Sequence, residues 1–175
     1  AANNTIRNCN IVGGANNVTS IFGIFVGGAT ISTSGTGADN DNLTVQSNNI
    51  SKAYYGIYAR GVSISGELDG LNISENIIGS SSATDYITGY GISLAGMTGA
   101  NIAGNEVYNL IYDGSKYGVY LNTYVSNSVI SRNKIHTFNQ SNTTTTYYST
   151  GIYFASATEN SNNQNLSISN PPKPF

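Results

Sequence analysis

Two short patterns recur along this chain, and their repetition restricts its fold more than any other feature of the sequence. In the first pattern, a glycine precedes a β-branched residue, a variable residue and an apolar residue. Its copies begin at Gly23, Gly56, Gly91, Gly118 and Gly151. In the second pattern, one apolar residue stands three positions before an asparagine and another stands two positions after it. Its copies contain Asn48, Asn76, Asn105 and Asn133, which are 28, 29 and 28 residues apart. Repeats of this length, built from period-two segments, predict a solenoid of β-strands.

The alternation of side chains along a strand assigns the two faces of the first pattern. The residue after each glycine and the residue two positions later should point into the interior, for example Val119 and Leu121. The residue between them should point outward. The outward set is Phe25, Tyr58, Ser93, Tyr120 and Tyr153. Because stacked coils lie about 4.8 Å apart, each set should form a column.

The recurrent asparagine fits a turn between two strands of one coil. Asparagine tolerates the left-handed backbone conformation of a tight turn, and stacked asparagine side chains hydrogen-bond to one another. We therefore predict a ladder of Asn48, Asn76, Asn105 and Asn133. Cys9 takes the equivalent position in a first, altered copy, where we expect a small, buried replacement.

These repeats resemble the right-handed parallel β-helix domains of the pectate-lyase-like superfamily, whose coils often contain Gly-Ile-x-Leu followed by Ile-x-x-Asn-x-Ile. The similarity extends from Ile6 to about Ile168. It implies an all-β fold, a right-handed parallel β-helix. It leaves the function open, because such domains include polysaccharide lyases, glycoside hydrolases, phage tailspikes, adhesins and surface stalks.

The number of repeats predicts five full coils plus a partial sixth. Residues 1–169 should form the β-helix, and residues 170–175, which contain all three prolines, should form an extended tail or linker. Neither end supplies an evident cap for a terminal coil, and uncapped strand edges invite pairing with other chains. We therefore expect the chain to be part of a longer solenoid.

The composition limits the classes of partner. Only 9% of residues are charged, and the net charge is −2. A basic patch for nucleic acid is therefore not expected, nor is membrane insertion, since no apolar run is long enough. The single cysteine excludes an internal disulfide framework. A neutral surface rich in Asn, Ser, Thr and Tyr is typical of extracellular bacterial repeats, so we expect a secreted or cell-surface protein.

The acidic residues offer few candidates for metal binding or catalysis. Asp39 and Asp41 form an Asp-x-Asp in a glycine-rich loop, which could bind Ca²⁺; the alternative is a solvated turn. No other cofactor is expected. Glu67 and Asp69 follow Arg60 closely, as a catalytic group might require, but their segment also fits an ordinary polar turn.

The basic residues of the fifth coil offer one structural prediction. Glu106 and Lys134 occupy equivalent positions on successive coils, so they should form an ion pair worth a few tenths of a kcal/mol. His136 is the only histidine. A triad or a zinc site would need partners that the sequence does not supply, so a turn or surface position is favoured.

The outward aromatic residues are the strongest indication of a ligand. Phe25, Tyr58, Tyr120 and Tyr153 should stand in one column, which Ser93 interrupts. A glycan laid along the solenoid could stack on several of these rings. In the alternative interpretation, the rings only stabilise neighbouring strands, each by about 0.2 to 1 kcal/mol.

The sequence thus predicts a structural or adhesive β-helix segment of a secreted or cell-surface bacterial protein, with a polysaccharide or cell-surface glycan as its ligand. Further domains of the same longer chain, or other proteins, would be additional partners. The alternative is a fragment of a polysaccharide lyase or glycoside hydrolase whose active site lies partly outside this chain.

Overall fold

The structure, a computed structural model, describes residues 2–37, 40–62, 68–140, 147–155 and 167–169, the last three as backbone only. Asp39, Glu67 and the tail at 170–175 lie outside the described residues. The described part of the chain contains no helix that could span a membrane. In chain order the strands are β1 (Thr5–Arg7), β2 (Asn10–Val12), β3 (Phe22–Val26), β4 (Thr44–Gln46), β5 (Asn49–Ser51), β6 (Ala53–Arg60), β7 (Leu68–Asp69), β8 (Asn72–Ser74), β9 (Ile77–Ile78), β10 (Ile87–Ala95), β11 (Met97–Thr98), β12 (Asn101–Ala103), β13 (Glu106–Ile111), β14 (Lys116–Leu121), β15 (Val125–Ser126), β16 (Val129–Ser131), β17 (Lys134–Asn139), β18 (Ser149–Phe154) and β19 (Ser167–Ser169).

The strands form four parallel stacks that surround one interior. The first stack contains β1, β4, β8, β12, β16 and β19, and the second contains β2, β5, β9, β13 and β17. The third contains β3, β6, β10, β14 and β18, and the fourth contains β7, β11 and β15. The second and third stacks belong to one sheet, in which β10 pairs with β13. This is the predicted parallel β-solenoid. The described residues complete about four turns.

The interior is built from columns of apolar side chains, as the alternation predicts. In the third stack, Ile57 pairs in register with Ile24 and Ile92, and Ile92 pairs with Val119. All four side chains are buried. Burial of branched side chains in register aligns the coils, because a slip by one residue would turn each column outward.

The fourth stack corrects one expectation from the sequence. The segment around Asp69 was expected to be a polar turn, but Leu68 and Asp69 form β7, which pairs with β11. Leu68 is buried and lies in register with Met97, which lies in register with Val125. One inward apolar residue per coil is too short a pattern to identify a strand by its periodicity.

The asparagine ladder is confirmed, and each of its amides joins neighbouring coils. The Asn76 Nδ2 group donates to Asn105 Oδ1 and to the Val45 carbonyl oxygen, both at 2.9 Å. The Asn105 Nδ2 group donates in the same way to Asn133 Oδ1 and the Ile73 carbonyl oxygen, both at 2.9 Å. The backbone N–H of Asn76 also donates to Asn105 Oδ1, at 3.0 Å. Among the described residues, every fully buried side-chain nitrogen or oxygen has a partner.

The left-handed residue of the turn is not the ladder asparagine, which corrects the expected turn geometry. It is the residue immediately before the asparagine or cysteine, with φ between 54° and 67°. These residues are Asn8, Ser47, Glu75, Gly104 and Arg132. Four of the five are not glycine, and a left-handed residue with a Cβ costs roughly 1–2 kcal/mol. The hydrogen bonds of the ladder offset this cost at each turn.

The expected burial of Cys9 is wrong, because its side chain is exposed. Cys9 still occupies the ladder position, since its backbone N–H donates to Asn48 Oδ1 at 3.0 Å. Its Sγ contacts the Arg7 carbonyl oxygen at 3.3 Å. Cys9 lies on the first coil, and no coil among the described residues covers the outer side of that coil.

The glycine of the first pattern lies where the second and third stacks approach each other. A Cβ on Gly118 would overlap Ile135 Cγ2 and the carbonyl oxygen of Gly151. The equivalent positions Gly23, Gly56 and Gly91 meet the same pair of obstacles, an inward side chain and the next glycine's carbonyl. Glycine therefore recurs at this position because a side chain would have no room there, and not because the backbone conformation requires glycine.

Replacing Asn105 by alanine should destabilise the fold by at least about 3 kcal/mol, because two Asn76 donors and the Ile73 carbonyl lose their partner in the interior. Asn101→Ala is the matched control. It removes an exposed bond from Asn101 Nδ2 to Asn72 Oδ1 and should cost less than about 0.5 kcal/mol. Denaturant unfolding measures both, and equal costs would contradict the structural role of the ladder.

Gly118→Ala should cost about 1 to 3 kcal/mol, since the added methyl group has no space between two coils. A Cβ on the exposed Gly14 meets no described atom, so Gly14→Ala should be close to neutral. Thermal unfolding of the two variants separates a packing effect from a general effect of losing a glycine. A stable Gly118→Ala variant would show that the two stacks can move apart.

Candidate functional site

The outer face of the third stack carries two adjacent columns of aromatic rings. The sequence predicted one of them, and we call it the second column. Its members are Phe25, Tyr58, Tyr120 and Tyr153, with Ser93 in register between Tyr58 and Tyr120. The first column, which the sequence analysis missed, consists of the residues directly before the pattern glycines. Its members are Phe22, Tyr55, Tyr90 and Tyr117.

The rings within a column are stacked nearly parallel. In the first column, the ring centroids of Tyr55 and Tyr90 are 4.7 Å apart with planes at 10°, and those of Tyr90 and Tyr117 are 5.1 Å apart at 23°. In the second column, the Tyr120 and Tyr153 centroids are 5.3 Å apart at 17°. Such offset stacking adds about 0.5–1.5 kcal/mol per pair beyond burial. The columns therefore stabilise the third stack.

A loop covers one end of the second column. Tyr58 is only 6% exposed, and its hydroxyl donates to the Thr33 carbonyl oxygen at 2.7 Å. Arg60 Nη1 donates to the same carbonyl oxygen. Phe25 is stacked on Tyr58 at 5.6 Å. The structure therefore does not bring Tyr58 to the surface as a ligand platform, although the sequence placed it among the glycan-binding candidates.

The other end of the columns is formed by β18, the last strand of the third stack among the described residues. Thr150 lies in register with Tyr117, so the first column has a small residue where an aromatic ring would continue it. A cleft of about 300 Å³ lies there, lined by Tyr117, Tyr148, Thr150 and Tyr153. Tyr148 is 66% exposed and Tyr153 is 42% exposed. None of the four lining residues is charged.

Burial of the columns suppresses ionisation of their hydroxyl groups. Desolvation, with a further contribution from Tyr117, raises the pKa of Tyr90 from 10.0 to about 12. Desolvation also raises the pKa of Tyr55 and of Tyr120. These hydroxyl groups are thus neutral donors and acceptors at physiological pH.

Of the two carboxylates predicted to bind calcium, only Asp41 belongs to the described residues. Asp39 lies outside the described residues. Asp41 accepts a hydrogen bond from the backbone N–H of Asp69 at 2.9 Å, which ties the loop to the next coil. In the described ranges, no group of three or more His, Cys, Asp or Glu side chains is arranged to hold a metal ion.

The segment around Arg60 was the sequence candidate for a catalytic cluster. The Arg60 guanidinium is held by the loop that covers Tyr58. Asp69 is exposed on β7, and Glu67 lies outside the described residues. The described residues therefore do not bring Arg60 and Asp69 together through any hydrogen bond or ion pair.

The predicted ion pair between Glu106 and Lys134 is confirmed, with Lys134 Nζ 2.6 Å from Glu106 Oε1. His136 joins it, which the sequence did not predict. His136 Nε2 is 3.0 Å from Glu106 Oε1, and its Nδ1 is 2.8 Å from Thr137 Oγ1. The His136 ring stacks on Tyr108 at 5.4 Å. His136 lies within β17 and not in a turn.

This chain of hydroxyl, imidazole and carboxylate groups has the connectivity of a catalytic triad, but its charges differ. The Lys134 ammonium and the His136 ring hold the pKa of the Glu106 carboxyl below its ordinary value. A carboxylate already paired with Lys134 is a weak support for a protonated imidazole. We therefore interpret the cluster as a surface network that links two coils.

Lys116 is a buried charged residue that the sequence analysis did not single out. Its Nζ donates to the Tyr112 and Gly114 carbonyl oxygens, at 3.0 and 3.2 Å. Burial lowers the pKa of the Lys116 ammonium. Since both partners belong to the turn before β14, Lys116 holds the segment that precedes Tyr117.

Comparison with known proteins found no matching family model, no matching curated protein and no matching solved structure.

The buried tyrosines make stability depend on pH in the alkaline range. Because the folded pKa of Tyr90 exceeds its ordinary value, its stabilising contribution is complete below pH 10.0 and is lost as pH rises toward about 12. The melting temperature should therefore fall between these values, and Tyr90→Phe should reduce that fall. Tyr148→Phe, at an exposed ring, is the control and should behave as the parent. A Tyr90→Phe variant with an undiminished fall would contradict the assignment.

Proposed function

We propose that this chain is a rigid β-helical module of a secreted or cell-surface bacterial protein and that it binds neutral glycans through its tyrosine-lined cleft. The proposal includes right-handed coils and membership of the pectate-lyase-like superfamily, both of which rest on the resemblance of the repeats. The single observation that carries the binding function is the cleft of about 300 Å³ between Tyr117, Tyr148, Thr150 and Tyr153.

The chemistry of the cleft suits a sugar. Aromatic rings pack against the C–H face of a pyranose, and the tyrosine and threonine hydroxyls can pair with its hydroxyl groups. Ligand sites in proteins are commonly apolar with a few placed polar groups, and this cleft has that character. A charged ligand would be desolvated there without a counter-charge, which is unfavourable.

The rigidity of the module follows from its fold. Each coil is hydrogen-bonded to its neighbours through parallel strands and through the ladder amides. A solenoid of this kind transmits its orientation along its axis, since each repeat contacts only the next. A stalk or adhesin requires this property, because it must hold a binding site away from a surface.

Binding to an array of neutral and acidic glycans tests the proposal, and titration calorimetry then measures affinity for the ligands found. We expect micromolar to millimolar affinity for neutral glycans, with little dependence on salt because the cleft is uncharged. The double variant Tyr148→Ser, Tyr153→Ser should lose at least about tenfold in affinity. Tyr108→Ser, on the second stack, is the matched control. The proposal is wrong if the parent binds no glycan or if the double variant binds as well as the parent.

A further inference from the structure

The spacing of the rings limits which ring faces a ligand can reach. Two coplanar rings lying side by side would need centroids more than about 6 Å apart, given carbon contacts of about 3.5–4.0 Å. The near-parallel Tyr55 and Tyr90 rings are 4.7 Å apart, and the Tyr120 and Tyr153 rings are 5.3 Å apart. Successive rings must therefore overlap face over face.

This overlap bears on a glycan laid along the solenoid axis. Inside a column, each ring face is partly covered by the next ring, so the outer surface presents ring edges and hydroxyl groups and only part of each face. The interruption at Ser93 does not restore an open platform, because Ser93 is buried and Tyr58, the ring before it in the second column, is only 6% exposed. A long sugar chain would meet few free faces along the columns.

The cleft is different because the aromatic repeat is broken there. Thr150 stands in register with Tyr117, so no ring of the first column follows Tyr117. The Tyr153 ring stacks on Tyr117 instead, with centroids 5.3 Å apart and planes at 20°, and Tyr153 is the last ring of the two columns among the described residues. The most exposed ring of the two columns, that of Tyr153, lies in the same place, as does the exposed Tyr148. A volume of about 300 Å³ is at the lower limit of small-molecule sites, which span about 300–1,000 Å³. It suits one sugar ring.

We propose that the cleft takes the terminal pyranose ring of a neutral glycan end-on, and that the remainder of the sugar chain extends into solvent. This inference rests on the proposed function and specifies the ligand of the same site. The ring of the sugar lies against tyrosine faces, and the Thr150 and tyrosine hydroxyls bind its hydroxyl groups. Sugar units beyond the first make no stacking contact.

The dependence of affinity on chain length tests this inference. The probes are methyl β-glucoside, methyl β-galactoside and the β-1,4-linked disaccharides, tetrasaccharides and hexasaccharides of each sugar, titrated into the parent protein. End-on binding predicts affinities within about twofold along a series, because added units add no contact. A rise of about tenfold or more with length would overturn end-on binding while leaving the proposed function intact. Absence of binding by every probe would overturn both.

Thr150→Tyr provides a second, independent test, since it places an aromatic ring where the first column stops. End-on binding predicts at least about a tenfold loss of affinity, because the new ring fills the cleft. Binding along the columns predicts equal or tighter affinity, because the new ring extends the platform. Tyr108→Phe, on a different stack, is the control and should bind as the parent does. The chain-length series uses the parent protein, so it decides the question even where the Thr150→Tyr variant is unstable.

Discussion

The constraint on which this structure depends is the pairing of each coil with the next at a fixed rise and in fixed register. A turn inside a solenoid buries polar backbone groups, and a buried group without a partner costs about 1–3 kcal/mol. The ladder of Asn48, Asn76, Asn105 and Asn133 resolves this problem, because the first three amides bind the coil on either side and that of Asn133 binds the coil before it. It also fixes register, since a displaced coil would separate every amide from its partner.

The same register produces the features on the outside of the solenoid. Once coils are paired, equivalent residues stack at the rise of the strands, whatever their chemistry. Aromatic residues at two outward positions therefore become columns with ring centroids about 5 Å apart. Such columns stabilise the stack but cover part of their own faces. A ligand site consequently arises where the repeat is interrupted, as Thr150 interrupts the first column beside Tyr148 and Tyr153.

The sequence predicts the structural features that follow from the repeat period. It does not predict the features that arise from contacts between loops distant in the chain. The parallel stacks, the inward column of Ile57 and Ile92, and the asparagine ladder follow from spacing alone. The sequence analysis missed the first aromatic column, although the sequence contains a signal for it. An aromatic residue directly precedes four of the five pattern glycines. The cover on Tyr58 comes from a loop around Thr33, and the Cys9 side chain is exposed on the first described coil; no local pattern encodes either.

Hydrogen exchange of the asparagine side-chain amides, followed by NMR, tests the central role of the ladder most directly. The Nδ2 protons of Asn76 and Asn105 are buried and bonded to two partners each, so their exchange should require the coils to separate. The account predicts that they exchange as slowly as the backbone N–H groups of the paired core strands, while the exposed Asn101 amide exchanges rapidly. Exchange of the ladder amides at the rate of Asn101 would contradict it.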